Sequence, residues 1–280
     1  MSRIQNILNK AERDGTVRRM HSVGDPVAAA GLAPLDGAAT TAAPPSLVNR
    51  DIGARAATAG PVATPARVIA AGPIDSRLVV AQPVESPTAE QYRALRTRIV
   101  HADTGGPVNV LLVTSPGRGE GKTLTAANLA LTMAQEYQQR ICIVDGDLRT
   151  PHIHRLFGLP EAPGLADVLA GRAALEEALV TVDDYHITVL PAGAAGAHPA
   201  ELLGTVTMRR LLDTLRSQFD RIVIDAPSTA PLADVGILTP LVDSVVLVVR
   251  AGVTSKPAIH DAINSIDQAK LLGVVLNEAA

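Results

Sequence analysis

The chain has 280 residues, 47% of them hydrophobic but only 2% aromatic, and a formal net charge of −3. That length accommodates one sizeable α/β domain with extra segments, and its core must be built from Val, Leu, Ile and Ala. The lack of a basic surplus gives no electrostatic ground for nucleic-acid binding, and the single cysteine, Cys142, excludes an internal disulfide and fits a reducing compartment.

In chain order, the opening segment reads as a short amphipathic helix over residues 1–14. Ser2 and Gln5 form a capping box, and Ile4, Ile7, Leu8 and Ala11 fall on one stripe. It lacks the basic and apolar regions of a secretory signal, and the longest apolar runs, such as "SVVLVV", have strand length rather than membrane-span length. The expectation is a cytoplasmic protein that reaches the inner membrane through a partner. Residues 15–77 are dominated by Ala, Gly, Pro and Thr without periodicity, which predicts a disordered linker.

From residue 78 to 280 the pattern changes. Apolar runs "VNVLLVT", "RICIVD", "ITVLPA", "DRIVIDAP", "DSVVLVVR" and "LLGVVLN" alternate with helical stretches, among them 122–136, 200–217 and 256–269. Nearly continuous β-branched strands with helices between them predict an α/β domain whose mostly parallel sheet has helices on both faces. Ligands of such sheets sit at the carboxyl ends of the strands.

The polar motifs fall at those ends. "SPGRGEGKTLT" follows the first run and opens a helix, the arrangement of a phosphate-binding P-loop. Gly117, Arg118, Gly119, Glu120, Gly121, Lys122, Thr123 and Leu124 are the candidate nucleotide-binding residues, with Lys122 reaching the β- and γ-phosphates and the Thr123 hydroxyl on Mg²⁺. "IVDGDLR" adds Asp145 and Asp147, which can hold Mg²⁺ or accept a proton; one of them can equally be a helix cap and the other solvated. "IVIDAPS" adds Asp225 at the end of another buried run, where a Walker B carboxylate sits. "HIH", His152 and His154, has no further ligand cluster around it to make a metal site.

With these motifs, and with "SPTAEQYRALRTRI", "DLRTPHIHRLFGLPEAPGLADVLAG", "HPAELLG" and "LVDSVVLVVRAG" in the same order, residues 84–277 resemble the bacterial tyrosine kinases of capsule and exopolysaccharide systems. The resemblance implies a P-loop ATP-binding kinase domain using ATP and Mg²⁺, with Lys122, Asp145, Asp147 and Asp225 as catalytic residues. Within that set it makes Asp145 the favoured base toward a tyrosine hydroxyl and Thr123, Asp147 and Asp225 the metal ligands. It puts Asn277 against the nucleotide base, and it matches Glu90, Arg93 and Arg96 to an oligomerisation motif for a homo-oligomer. It further implies a membrane-anchored polysaccharide co-polymerase, or chain-length regulator, as the activating partner.

This sequence departs from the family pattern at Arg118 and Ser228, both prolines in relatives. It also lacks the family's terminal tyrosine cluster: Tyr92, Tyr137 and Tyr185 are its tyrosines, so tail autophosphorylation is not expected. The alternative expectation is therefore an ATP-driven assembly switch without kinase activity. Partition ATPases, which share the fold, resemble one another in a second lysine where Gly117 stands here.

Overall fold

The structure is a computed structural model that describes residues 67–69, 73–83, 86–102, 108–135, 139–194, 196, 198–230 and 233–278. The helix expected over 1–14, most of the 15–77 linker and Tyr137 lie outside the described residues. Eight strands form one sheet: β1 (Arg67–Ile69), β2 (Val110–Thr114), β3 (Ile141–Asp145), β4 (Val180–Val182), β5 (Ile187–Leu190), β6 (Arg221–Asp225), β7 (Ser244–Arg250) and β8 (Leu271–Asn277). Their order across the sheet is β1-β4-β5-β3-β6-β2-β7-β8. All neighbours run parallel except β4 and β5, which are antiparallel.

The six expected runs supply β2, β3 and β5 to β8. Every residue of β2, β3 and β5 is buried, as their unbroken aliphatic character requires of strands covered on both faces. Strands β1 and β4, three residues each, are too short to leave a pattern. Strand β1 lies inside the stretch read as linker, and the Asp75 N–H donates to the Leu156 carbonyl at 2.9 Å, so folded structure begins upstream of residue 78.

Four longer helices cover the sheet: α1 (Pro87–Val100), α2 (Lys122–Ala134), α3 (Val206–Gln218) and α4 (Lys256–Asn264). Helix α2 is buried from Thr125 to Ala134, because its "TAANLALTMA" presents small or apolar side chains all round. The helix expected over 200–217 is instead two. A short turn of helix, Pro199–Leu203, ends at Gly204, and the Thr205 hydroxyl accepts the Met208 N–H at 3.2 Å to start α3.

One carboxylate fastens the start of the central strand. Asp243 Oδ2 accepts the N–H groups of Asn109 (2.9 Å) and Val110 (2.7 Å), while Arg216 donates to both Asp243 oxygens. The feet of α3, β2 and β7 are thereby tied together at the end of the sheet away from the motifs.

Candidate functional site

The register places the motifs side by side. Asp225 is opposite Val113 on one flank and Asp145 on the other, so the ends of β2, β6 and β3 line up. Strand β2 then runs into the glycine turn, and α2 begins at Lys122. Gly119 and Gly121 adopt φ of 75° and 90°, the left-handed region open to glycine. A Cβ on Gly121 would sit 2.0 Å from Asn277 Nδ2, because the Asn277 amide lies on the turn and donates to the Glu120 carbonyl at 3.0 Å. The segment after β6 holds the turn from the other side: the Thr114 hydroxyl donates to Pro227 O (2.6 Å) and Thr229 N–H to Ser115 O (2.8 Å).

Lys122 points into the cluster of aspartates. Its ammonium lies 2.8 Å from Asp147 Oδ2, 3.7 Å from Asp225 Oδ1 and 3.2 Å from the Thr123 hydroxyl. Burial opposes its charge, but Asp225 and Asp147 outweigh that and raise its pKa above the ordinary lysine value.

The three aspartates have different tasks. Asp145 is fully buried and spent on the backbone: its oxygens accept the N–H groups of Asp147 (3.2 Å), His152 (3.0 Å) and Ile153 (3.0 Å), which shapes the turn after β3. Asp147 accepts from Lys122 and from the N–H and hydroxyl of Thr150 (3.0 and 3.1 Å). Asp225 is fully buried and neither oxygen accepts a hydrogen bond. Burial, with mutual repulsion of the carboxylates, raises the pKa of both Asp145 and Asp225.

A cavity of about 450 Å³ opens above this cluster, faced by Arg118, Gly119, Gly121, Thr123, Asp147 and Asn277, among others. Leu124, Ser228 and Arg149 also face it, whereas Asp145 and Asp225 lie beneath its wall. Gly117 stands at the turn's entry, where the Ser115 hydroxyl donates to its carbonyl at 2.6 Å. Among the described residues no three His, Cys, Asp or Glu converge on a point that would hold a metal unaided. Magnesium does not need such a cage, since it takes one or two carboxylates and completes its shell with waters and phosphate. The orphaned Asp225 carboxylate beside Thr123 fits that demand.

Some contributors left no mark in the sequence reading. Asp234, 1% exposed, binds the Arg149 guanidinium through Nε (2.7 Å) and Nη2 (3.2 Å). Thr254 donates its hydroxyl to Glu120 Oε1 at 2.9 Å, which moors the side chain of the phosphate turn to the loop after β7. Both partners are distant in sequence and carry no motif.

Glu90 and Arg93 pair with each other on α1, and Arg96, half-buried like Arg93, donates to the Thr132 carbonyl of α2 at 2.8 Å.

A strand, a glycine turn, a lysine at the helix start and carboxylates at adjacent strand ends define a P-loop NTPase fold. A family model described as an AAA domain matches residues 110–276. Tyrosine-protein kinase YwqD of Bacillus subtilis is 35% identical over 195 residues, 69% of this chain and 82% of that protein. The succinoglycan biosynthesis transport protein ExoP of Rhizobium meliloti is 31% identical over 208 residues, 72% of this chain but only 26% of that longer protein. Among solved structures, the chimerical protein CapA2B2 superposes with a TM-score of 0.69 at 31% identity, covering 76% of this chain and 93% of that one. The chain belongs to the bacterial tyrosine-protein kinases.

Proposed function

We propose that this chain transfers the γ-phosphate of ATP to protein tyrosine and thereby regulates assembly and export of an exopolysaccharide or capsule. The observation that carries the site assignment is the meeting of Lys122, Asp147 and Asp225, whose oxygens accept no hydrogen bond, beside one cavity behind a glycine turn. In this reading the backbone N–H groups of residues 117–121 and the Lys122 ammonium receive the phosphates. Thr123 and Asp225 would hold Mg²⁺, which would supply charge to neutralise the phosphates. Asn277, already seated on the turn, borders the base.

The tyrosine Oη forms its bond to the γ-phosphorus as the bond to the β,γ-bridging oxygen breaks, ADP leaves with that electron pair, and the phenolic proton passes to a carboxylate. Asp147 suits the last step better than Asp145. Both carboxylates accept hydrogen bonds at each oxygen, but Asp147 lines the cavity and Asp145 does not. Asp145 is then a positioning residue that shapes the turn carrying Asp147.

Among the described residues no helix is long and apolar enough to cross a membrane. A membrane-anchored co-polymerase would bring the kinase to its place of action, and Glu90, Arg93 and Arg96 would contribute to self-association.

The test is incubation with γ-labelled ATP and Mg²⁺, with and without the cytoplasmic segment of the candidate membrane partner. Phosphotyrosine is expected in the wild type and absent in Lys122→Ala and Asp225→Asn, with Asp147→Asn lowering it at least about 100-fold. Phosphate release without phosphotyrosine under all these conditions would overturn the kinase reading in favour of an ATP-driven switch.

A further inference from the structure

The floor of the cavity is accounted for by the phosphate turn, Lys122 and the aspartates. Its rim is not. Three arginines reach it: Arg77, Arg118 and Arg149. Two are anchored, Arg149 by buried Asp234 and Arg77 by Asp75, whose oxygens it meets at 2.9 and 2.7 Å. Arg118 is exposed and has no carboxylate within ion-pair distance among the described residues. The acids that face the cavity do not balance it, because Asp147 is matched by Lys122 and Glu278 by Arg250. The rim thus presents planar, fork-shaped donors around the entrance, suited to carboxylates arriving from outside.

We infer that the acceptor is an acidic segment, a tyrosine flanked by Asp or Glu, whose carboxylates are received by Arg118 with Arg149 and Arg77 extending the positive rim. This rests on the kinase reading given above. Phosphates entering first are met by the turn's N–H groups and Lys122 at the floor; Arg118 belongs to that turn, but its exposed side chain, with Arg149 and Arg77 at the rim, faces the second substrate. Arg149, held at two nitrogens, offers a fixed direction; Arg118, on an exposed turn, adapts to the sequence beside the tyrosine. A lysine-flanked tyrosine meets like charge at the same place and is rejected.

The experiment uses the full chain loaded with Mg²⁺ and a non-hydrolysable ATP analogue. Fluorescence anisotropy follows labelled tyrosine peptides that differ only in Asp, Ser or Lys flanks. Asp-flanked peptide should bind about twofold to fivefold tighter than the Ser-flanked one at low salt, with Lys-flanked weakest and the gap closing as ionic strength rises. Arg118→Glu, compared at matched occupancy by the analogue because Arg118 lies in the phosphate turn, should invert that order. Equal binding of the three peptides, or an acid preference that survives Arg118→Glu, overturns the inference. The same mixtures with ATP and the partner's cytoplasmic segment are read for phosphotyrosine. Phosphotyrosine without flank preference leaves the kinase reading standing and removes this one, whereas acid-selective binding that never yields phosphotyrosine removes both.

Discussion

Asp225 ends β6 with both carboxylate oxygens out of water and out of any hydrogen bond, 3.7 Å from the nearest cation. A buried carboxylate without hydrogen bonds destabilises the nucleotide-free fold. Its pKa is raised, so the folded state binds a proton more readily than the unfolded chain does. The sign follows: the carboxyl does no harm below the ordinary carboxylate range, and stability is lost as pH rises through the folded pKa. Asp225→Asn should therefore stabilise the nucleotide-free protein at neutral pH, by on the order of 1 kcal/mol, and much less at acid pH. Thermal unfolding of both proteins along a pH series checks this, and a gap that stayed constant with pH would contradict it. The same variant should lose its stabilisation by Mg²⁺ and ATP. Asp225 was legible in the sequence because a carboxylate closing a run of buried aliphatics has few structural reasons to be there. The division of labour between Asp145 and Asp147 was not, since two carboxylates two residues apart look alike until the N–H groups around them are seen.

At the level of elements, the phosphate turn is shaped as much by what rests on it as by its own glycines. Gly121 combines a φ of 90° with an Asn277 amide that would collide with any Cβ. Gly121→Ala should weaken binding of an ATP analogue at least about tenfold, through left-handed strain and displacement of Asn277. Adding Asn277→Ala should restore part of the fold's stability by relieving the collision, but not the strain. Calorimetric titration of the single and double variants, with their melting points, separates the two effects; a double variant no more stable than Gly121→Ala alone would rule out the collision. Elements with strong patterns were readable: the aliphatic runs gave their strands, and GKT its helix start. The break at Gly204 was missed because the apolar spacing runs through it, while a glycine and a capping threonine decide locally to stop and restart. Strands β1 and β4 were missed for a different reason. Three residues pair where the sheet already offers an edge, so their pairing is set by position rather than by composition.

For the molecule as a whole, the charged motif on α1 makes two separate contacts, and on the self-association reading they have separable effects. Arg96 ties it to the end of α2, whereas Glu90 and Arg93 meet each other at the surface. Arg96→Ala should destabilise the chain in any state of association by about 0.5–1.5 kcal/mol for the lost carbonyl contact, read as a lower melting point. Glu90→Ala with Arg93→Ala should leave folding within about 0.5 kcal/mol, as expected of a surface pair, and act on association alone. Light scattering alongside thermal unfolding checks both. A double variant that unfolds early, or an Arg96→Ala change confined to oligomer size, would merge the two effects. The motif's spacing was plain in the sequence, but which of its cations reaches the neighbouring helix was not, since that depends on where the Thr132 carbonyl lies.

Asn277 closes β8, and β8 is the final strand in chain order, yet its amide sits on a turn that begins some 160 residues earlier. A ribosome makes the turn, Lys122 and all three aspartates well before it makes the residue that pins the turn down. Until β8 is made, the turn and Lys122 stand without the hydrogen bond that Asn277 gives them. On the nucleotide-binding reading, a fragment ending before β8 should fold much of its sheet and hold ATP more weakly than a chain that includes Asn277.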